Sequence, residues 1–190
     1  LMKSLMDRTL AVLGVIALSP VLASCALAVK FSSPGPILFK QKRHGWNGNI
    51  IEVLKFRSMK VHDDKQVKQA QKEDPRITRA GRFLRRSSLD ELPQLFNVIK
   101  GDMALVGPRP HALAHNDYYS DKIIAYMARH RIKPGITGWS QVRYPYGASD
   151  DDAREKLQYD LYYVKNYSLF LDCLIMFQTA EVVIFCAGAR

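Results

Sequence analysis

The sequence predicts an α+β fold that is predominantly helical, with an N-terminal re-entrant membrane helix, a small β-hairpin and amphipathic interfacial helices. Three observations carry that expectation. Residues 10–29, LAVLGVIALSPVLASCALAV, run for twenty positions without a charge and hold Ser19-Pro20 at their midpoint. Two strand-like runs, 36–43 and 49–56, flank a turn containing Asn47-Gly48. Further along, apolar residues recur at helical spacing, as in Leu92, Leu95, Phe96 and Ile99.

The apolar run has the length of a straight span, roughly 30 Å. Its flanks argue for a turn instead. Lys3 and Arg8 precede it and Lys30, Lys40, Lys42 and Arg43 follow it; a Lys/Arg excess marks the cytoplasmic side, so both ends are most easily satisfied on one face. Pro20 removes a backbone donor at the midpoint, and the Ser19 hydroxyl can serve the freed carbonyl. Two arms of about ten residues, ~15 Å each, would reach halfway through a bilayer. A straight span stays open as the alternative, since proline also occurs in helices that cross. A signal peptide fits poorly, because the stretch is long for its apolar region and a strongly basic sequence follows. The expected division is a membrane hairpin over 1–30 and a second unit over 31–190.

The hairpin follows directly. Residues 60–75 are polar, lack an apolar stripe and read as a surface excursion or weak helix. Residues 76–86 and 88–99 read as two helices, the second ended by Gly101. Residues 104–111 are punctuated by Gly and Pro, 117–131 return to helical periodicity, and 133–139 read as a loop. An amphipathic helix is expected over 150–166, with Leu157, Leu161 and Val164 on one face. The stretch from Tyr167 is apolar but interrupted by Asp172, Gln178 and Glu181, which favours an interfacial or packed helix over a second span.

At 190 residues the chain is sized for one catalytic unit, and its net charge of +10 favours an anionic partner: nucleic acid, an acidic membrane surface or a phosphorylated substrate. Cys25, Cys173 and Cys186 show neither metal-ligand spacing nor a disulfide framework, which fits a reducing compartment. The chain opens on Leu1 and not methionine, as expected of a piece of something longer.

Signals for chemistry concentrate in RRSSLDELP, residues 85–93. Ser88 and Glu91 match a capping box, which would put Asp90 and Glu91 in a first helical turn, where partial positive charge stabilises carboxylates and attracts phosphate. Two adjacent carboxylates behind arginines can divide phosphoryl transfer, one attacking and the other holding a divalent cation. Acidic residues also occupy first turns merely to favour the dipole, and spacing alone leaves both readings open. Arg109, between Pro108 and Pro110, is a candidate phosphate clamp. Lys55 and Arg57 alternate on the second strand and would share a face. Asp160 beside an apolar stripe is either a salt-bridge partner or a site residue. His111 and His115 have the i, i+4 spacing of zinc ligands but lack a third.

These motifs, taken together, form a pattern. Ser19-Pro20 in a hydrophobic start, KFRSM at 55–59, SSLDELPQLFNVIKGDMALVGPRP at 87–110, KPGITGW at 133–139 and YDLYYVKN at 159–166 resemble the bacterial sugar transferases, the monotopic polyprenyl-phosphate phosphoglycosyl transferases of exopolysaccharide, capsule and glycan assembly. The resemblance implies that Asp90 attacks a UDP-sugar, releasing UMP, and that undecaprenyl phosphate resolves the aspartyl phospho-sugar. It implies Glu91 as ligand of Mg2+, and Lys55, Arg85, Arg109 and Asp160 around the phosphates and nucleotide. It further implies a re-entrant helix broken at Ser19-Pro20, the cytoplasmic face of a bacterial inner membrane, membrane lipids as partners and, for the long members, extra N-terminal regions and a homodimer. UDP-glucose is the first expectation for the donor. After Trp139 the chain reads SQVRYPYGAS where many relatives carry an asparagine-glycine stretch, which leaves the sugar open. The rival from another class is a non-catalytic membrane-anchored module binding anionic lipid or nucleic acid; no stacking platform or helix-turn-helix pattern supports the nucleic-acid version.

Overall fold

A computed structural model describes residues 1–60, 74–144 and 149–185. Helices α1 (Met2–Ala17) and α2 (Ser19–Ser32) meet at a bend of 66°. Pro20 lies in the first turn of α2, where its missing N–H costs nothing, and the Ser19 hydroxyl donates to the Ile16 carbonyl at 2.8 Å. The break is where Ser-Pro was expected to put it, but the arms, at 16 and 14 residues, are longer than the half-length arms foreseen. Among the described residues no single helix is long and apolar enough to cross a membrane.

One side of this pair is packed and the other bare. Ala11 is buried with Val53, Val98 and Met103, while Cys25 and Val29 are buried with Phe56 and Leu84. Leu5, Leu13, Ile16, Leu27 and Phe31 point outward and are exposed. Strands β1 (Leu38–His44) and β2 (Ile50–Phe56) form the expected antiparallel hairpin, Leu38 opposite Phe56 and His44 opposite Ile50. A 3-10 turn, Trp46–Gly48, joins them, with Asn47 at φ 53°. Lys55 and Arg57, expected to share a face, take different partners. Arg57 lies just past the strand, buried, and donates to the carbonyls of Ser33 (2.7 Å) and Pro34, capping the chain where α2 ends. A buried guanidinium needs acceptors, and the free carbonyls at a helix C-terminus supply them.

The expected excursion over 60–75 falls almost wholly outside the described residues. Helix α3 (Arg79–Arg86) starts at Thr78, whose hydroxyl accepts from Gly81 N. The next segment corrects the sequence reading. Residues 88–99 are not one helix: a 3-10 turn, Leu89–Glu91, leads into α4 (Gln94–Lys100), and Ser88 takes a left-handed backbone at φ 57° with no side-chain cap. The reason is Pro93, which lacks the N–H that would carry an α-helical ladder through this point. The capping box occurs instead at Ser149 and Asp152, opening α7 (Asp150–Asn166). Buried Asn97 on α4 completes the edge of β2, accepting from Leu54 N at 3.0 Å and donating to the Glu52 carbonyl at 2.6 Å.

Strand β3 (Ala104–Val106) pairs in parallel with β4 (Gly135–Thr137), inside a segment expected to be loop. Glycine permits this crossing: a Cβ on Gly135 would lie 2.1 Å from Gly107 N, and one on Gly107 would lie 2.4 Å from the Lys133 carbonyl. The helix expected over 117–131 is divided into α5 (Leu113–Lys122) and a 3-10 segment, Tyr126–Arg131, by Ala125 at φ 63°. After α6 (Trp139–Arg143), α7 buries Leu157, Asp160 and Tyr163. Helix α8 (Leu169–Phe185) packs Ile175 inward, and its fully buried Asp172 accepts from Lys3 of α1 at 2.7 Å and from the Tyr163 hydroxyl.

Candidate active site

The 3-10 turn brings Asp90 and Glu91 against the end of β2 and the loop after β3. Lys55, the next-to-last residue of β2, donates to Glu91 Oε1 at 2.8 Å. Arg109 reaches the same carboxylate with both terminal nitrogens, at 3.1 Å to Oε2 and more closely to Oε1. Burial alone would raise the Glu91 carboxyl, but the charges of Arg109 and Lys55 outweigh it and hold the group well below the usual carboxylate range.

Asp90 differs. It accepts a hydrogen bond from none of the described residues, although Lys55, Arg85 and Arg109 lie near enough to act through their charge. Burial first, and the adjacent Glu91 charge second, push its carboxyl up, and the three cations offset only part of this. Arg85, in the last turn of α3, is brought to the site by charge proximity and not by a direct hydrogen bond. The arrangement is a tethered carboxylate beside an untethered one, ringed by cations from β2, α3 and the β3 loop.

Asp160 is not at that ring. It is 2 % exposed and faces Arg129 at 2.7 Å, with its other oxygen taking the Ser140 hydroxyl at 2.7 Å. Of the two roles the sequence allowed, the structure fills the salt-bridge one. Arg129 in turn donates to the Arg109 carbonyl at 2.7 Å, and Arg43 of β1 to the Pro110 carbonyl at 2.7 Å. Neither arginine was singled out from sequence as a site residue. The one usable signal was Asp160 itself, since a carboxylate on a core-facing position demands a cation. His111 precedes α5 and contacts the Tyr126 hydroxyl and Arg129, so it and His115 do not share a helix.

The donor set bears on a metal. Glu91 Oε2 accepts a single hydrogen bond among the described residues, from Arg109, which leaves it a further lone pair. Among the described residues no three His, Cys, Asp or Glu side chains gather in one place. These residues therefore fit a hard divalent ion that takes one protein carboxylate and completes its shell from phosphate and water, as Mg2+ does, and do not form a cage of their own.

A bent apolar helix pair and a carboxylate couple set among cations define an anion-handling α+β domain built on a hydrophobic base. The chain belongs to the bacterial sugar transferase family, whose model matches residues 1–186. It is 51% identical over 186 residues to a UDP-glucose:undecaprenyl-phosphate glucose-1-phosphate transferase of Xanthomonas campestris pv. campestris, covering 96% of this chain and 38% of that protein. It is 44% identical over 186 residues to a UDP-N-acetylgalactosamine-undecaprenyl-phosphate N-acetylgalactosaminephosphotransferase of Aeromonas hydrophila, covering 97% of this chain and 44% of that protein. An exopolysaccharide production protein PSS of Rhizobium leguminosarum bv. phaseoli is 46% identical over 173 residues, covering 87% of this chain and 86% of that protein. The chain thus spans less than half the length of the first two relatives and most of the third.

Proposed function

We propose that this chain transfers a sugar 1-phosphate from a UDP-sugar to undecaprenyl phosphate and releases UMP, the first committed step of an exopolysaccharide or related glycan. The observation that carries the reading is the division between the two carboxylates: Glu91 is held by Lys55 and Arg109, and Asp90 takes no hydrogen bond from any of the described residues. A carboxylate whose lone pairs are free is a nucleophile; one locked between two cations is a fixed electrostatic partner.

In the first step an Asp90 oxygen attacks the sugar-bearing phosphorus, the bond from that phosphorus to the UMP oxygen breaks, and UMP leaves. In the second, an oxygen of undecaprenyl phosphate attacks the same phosphorus and the Asp90 carboxylate is regenerated. Lys55, Arg85 and Arg109 balance charge on the phosphoryl oxygens in both steps. Glu91 would hold a Mg2+ ion, which supplies further charge neutralisation at the phosphates. Asp160 acts behind the site, through Arg129.

The outward apolar face of α1 and α2 supports a re-entrant seat in the cytoplasmic leaflet of the inner membrane, beside the lipid phosphate. Relatives named for glucose and for N-acetylgalactosamine make UDP-glucose the first donor to test.

The deciding assay uses the purified chain in detergent with single UDP-sugars, with and without undecaprenyl phosphate and Mg2+, reading UMP. Release that needs lipid and Mg2+ and disappears in Asp90→Asn is expected; wild-type turnover by that variant would remove Asp90 from the mechanism. For the membrane seat, Leu1→Cys and Lys40→Cys, each in a background without Cys25, Cys173 and Cys186, are expected to react from the same side of intact cells. Labelling from opposite sides would reject the re-entrant placement.

A further inference from the structure

The loop that presents Arg109 has little freedom of its own. Pro108 and Pro110 each fix their own φ, and Pro110 confines Arg109 to extended backbone, so the tripeptide moves as one stiff piece. What remains to be set is where that piece sits. All of its carbonyls are engaged, each from a different element. Gly135 N of β4 donates to the Pro108 carbonyl at 3.1 Å, Arg129 to that of Arg109 at 2.7 Å and Arg43 to that of Pro110 at 2.7 Å.

Two of these donors are guanidiniums placed close to a third cation, Arg109, and such crowding is unfavourable without a purpose. Arg129 has a compensating charge in Asp160, itself fixed by Ser140. Arg43 makes no direct ion pair among the described residues: beyond the Pro110 carbonyl its partner is the neutral side chain of Gln41, and Glu91 compensates it only through charge at a distance. Burial first, then the charge of Arg109, outweigh that of Glu91 and pull its pKa down to about 10. Arg129 is only 3 % exposed, and its guanidinium is taken up by Asp160, His111, the Tyr126 hydroxyl and the Arg109 carbonyl. A planar fork can hold two acceptors in fixed directions, which an ammonium does less well.

We propose that Arg129 and Arg43 are positioning residues, a pair of buried guanidiniums that grip consecutive main-chain carbonyls and so aim Arg109 at Glu91 and at the phosphate it would bind. The proposal rests on the transferase reading above and adds residues to the same site.

The test is a double-mutant cycle on the chain with Mg2+ present. Arg129→Lys keeps a cation beside Asp160, and Arg43→Gln orphans no carboxylate, so the two variants do not share one route to misfolding. Each is made alone and in an Arg109→Gln background, and two quantities are read: kcat/KM for UMP release and UDP affinity by calorimetry. Acting through Arg109, each variant should lower both quantities about tenfold alone and less than about twofold when Arg109 is already gone, a coupling near 1 kcal/mol or above. Equal losses in the two backgrounds would overturn the proposal, because a merely structural role multiplies through. A coupled cycle in UDP affinity on a chain that releases no UMP would keep the clamp and sink the transferase reading instead.

Discussion

Replacing either site carboxylate with its amide tests the division of labour between them. In Glu91→Gln, Lys55 and Arg109 lose their shared counter-charge. The Glu91 side chain is 15% exposed, Lys55 19% and Arg109 35%. Removing one member of a buried pair costs roughly 3–5 kcal/mol, and an exposed pair contributes about 0–1 kcal/mol. This site lies between those limits, and the glutamine oxygen still accepts one hydrogen bond, so the expected loss is about 2–3 kcal/mol. For a chain of this length that is a fall in Tm of roughly 4–12 °C. Asp90→Asn removes no hydrogen bond among the described residues and relieves a carboxylate whose ionised form is disfavoured by burial and by Glu91. Its stability should stay within about 0.5 kcal/mol of wild type or rise. Thermal unfolding in detergent, followed by circular dichroism, reads both. The two variants should also part on acidification. The Glu91 carboxyl titrates below its ordinary value of about 4.3, so its contribution is complete above that pH and fades as pH falls through the lower native value. Glu91→Gln should lack this acid-dependent loss. Equal melting losses in the two variants, or a Glu91→Gln protein that melts like wild type, would refute the reasoning.

Arg85→Gln removes one of the three cations that hold the Asp90 carboxyl down, so the acid limb of kcat/KM for UMP release should move to higher pH; an unmoved limb would detach Arg85 from Asp90. Gly135→Ala puts a methyl 2.1 Å from Gly107 N, a backbone atom that cannot swing aside, and should cost about 3 kcal/mol or more, read as lost folded yield or a large fall in Tm. Tyr163→Phe strips a donor shared between Asp172 and the Val106 carbonyl and should destabilise by about 1–3 kcal/mol in the same melting assay.

How far the sequence carried these conclusions depended on whether the signal was local. The break at Ser19-Pro20, the turn at Asn47-Gly48 and α7 over 150–166 were legible because proline chemistry, left-handed backbone and apolar periodicity act within a few residues. Ser88 misled for the same reason. It satisfies a capping-box pattern locally, yet Pro93 five positions later decides the backbone and leaves a 3-10 turn followed by a short helix. The β3–β4 pair escaped because each partner is only three residues long and the ladder joins positions about thirty apart, beyond the reach of any periodicity. Lys55, Arg109 and the two carboxylates were named from sequence as separate candidates, and only the fold shows that three of them share one set of bonds. Arg129 and Arg43 carry no motif, since their partners are main-chain carbonyls and leave no trace in side-chain pattern.

The grip of Arg57 on the carbonyls of Ser33 and Pro34 ties residue count to reach. Arg57 stands two positions after Lys55, so the far end of α2 and the strand that holds Glu91 travel together. Adding one residue between Pro20 and Ser32 would lengthen that arm by about 1.5 Å and turn its end by about 100°. On the proposed membrane seat, Asp90 and Glu91 would then sit at another height and face another way. The number of turns in this one-side-packed apolar helix would there set the height of the carboxylate pair.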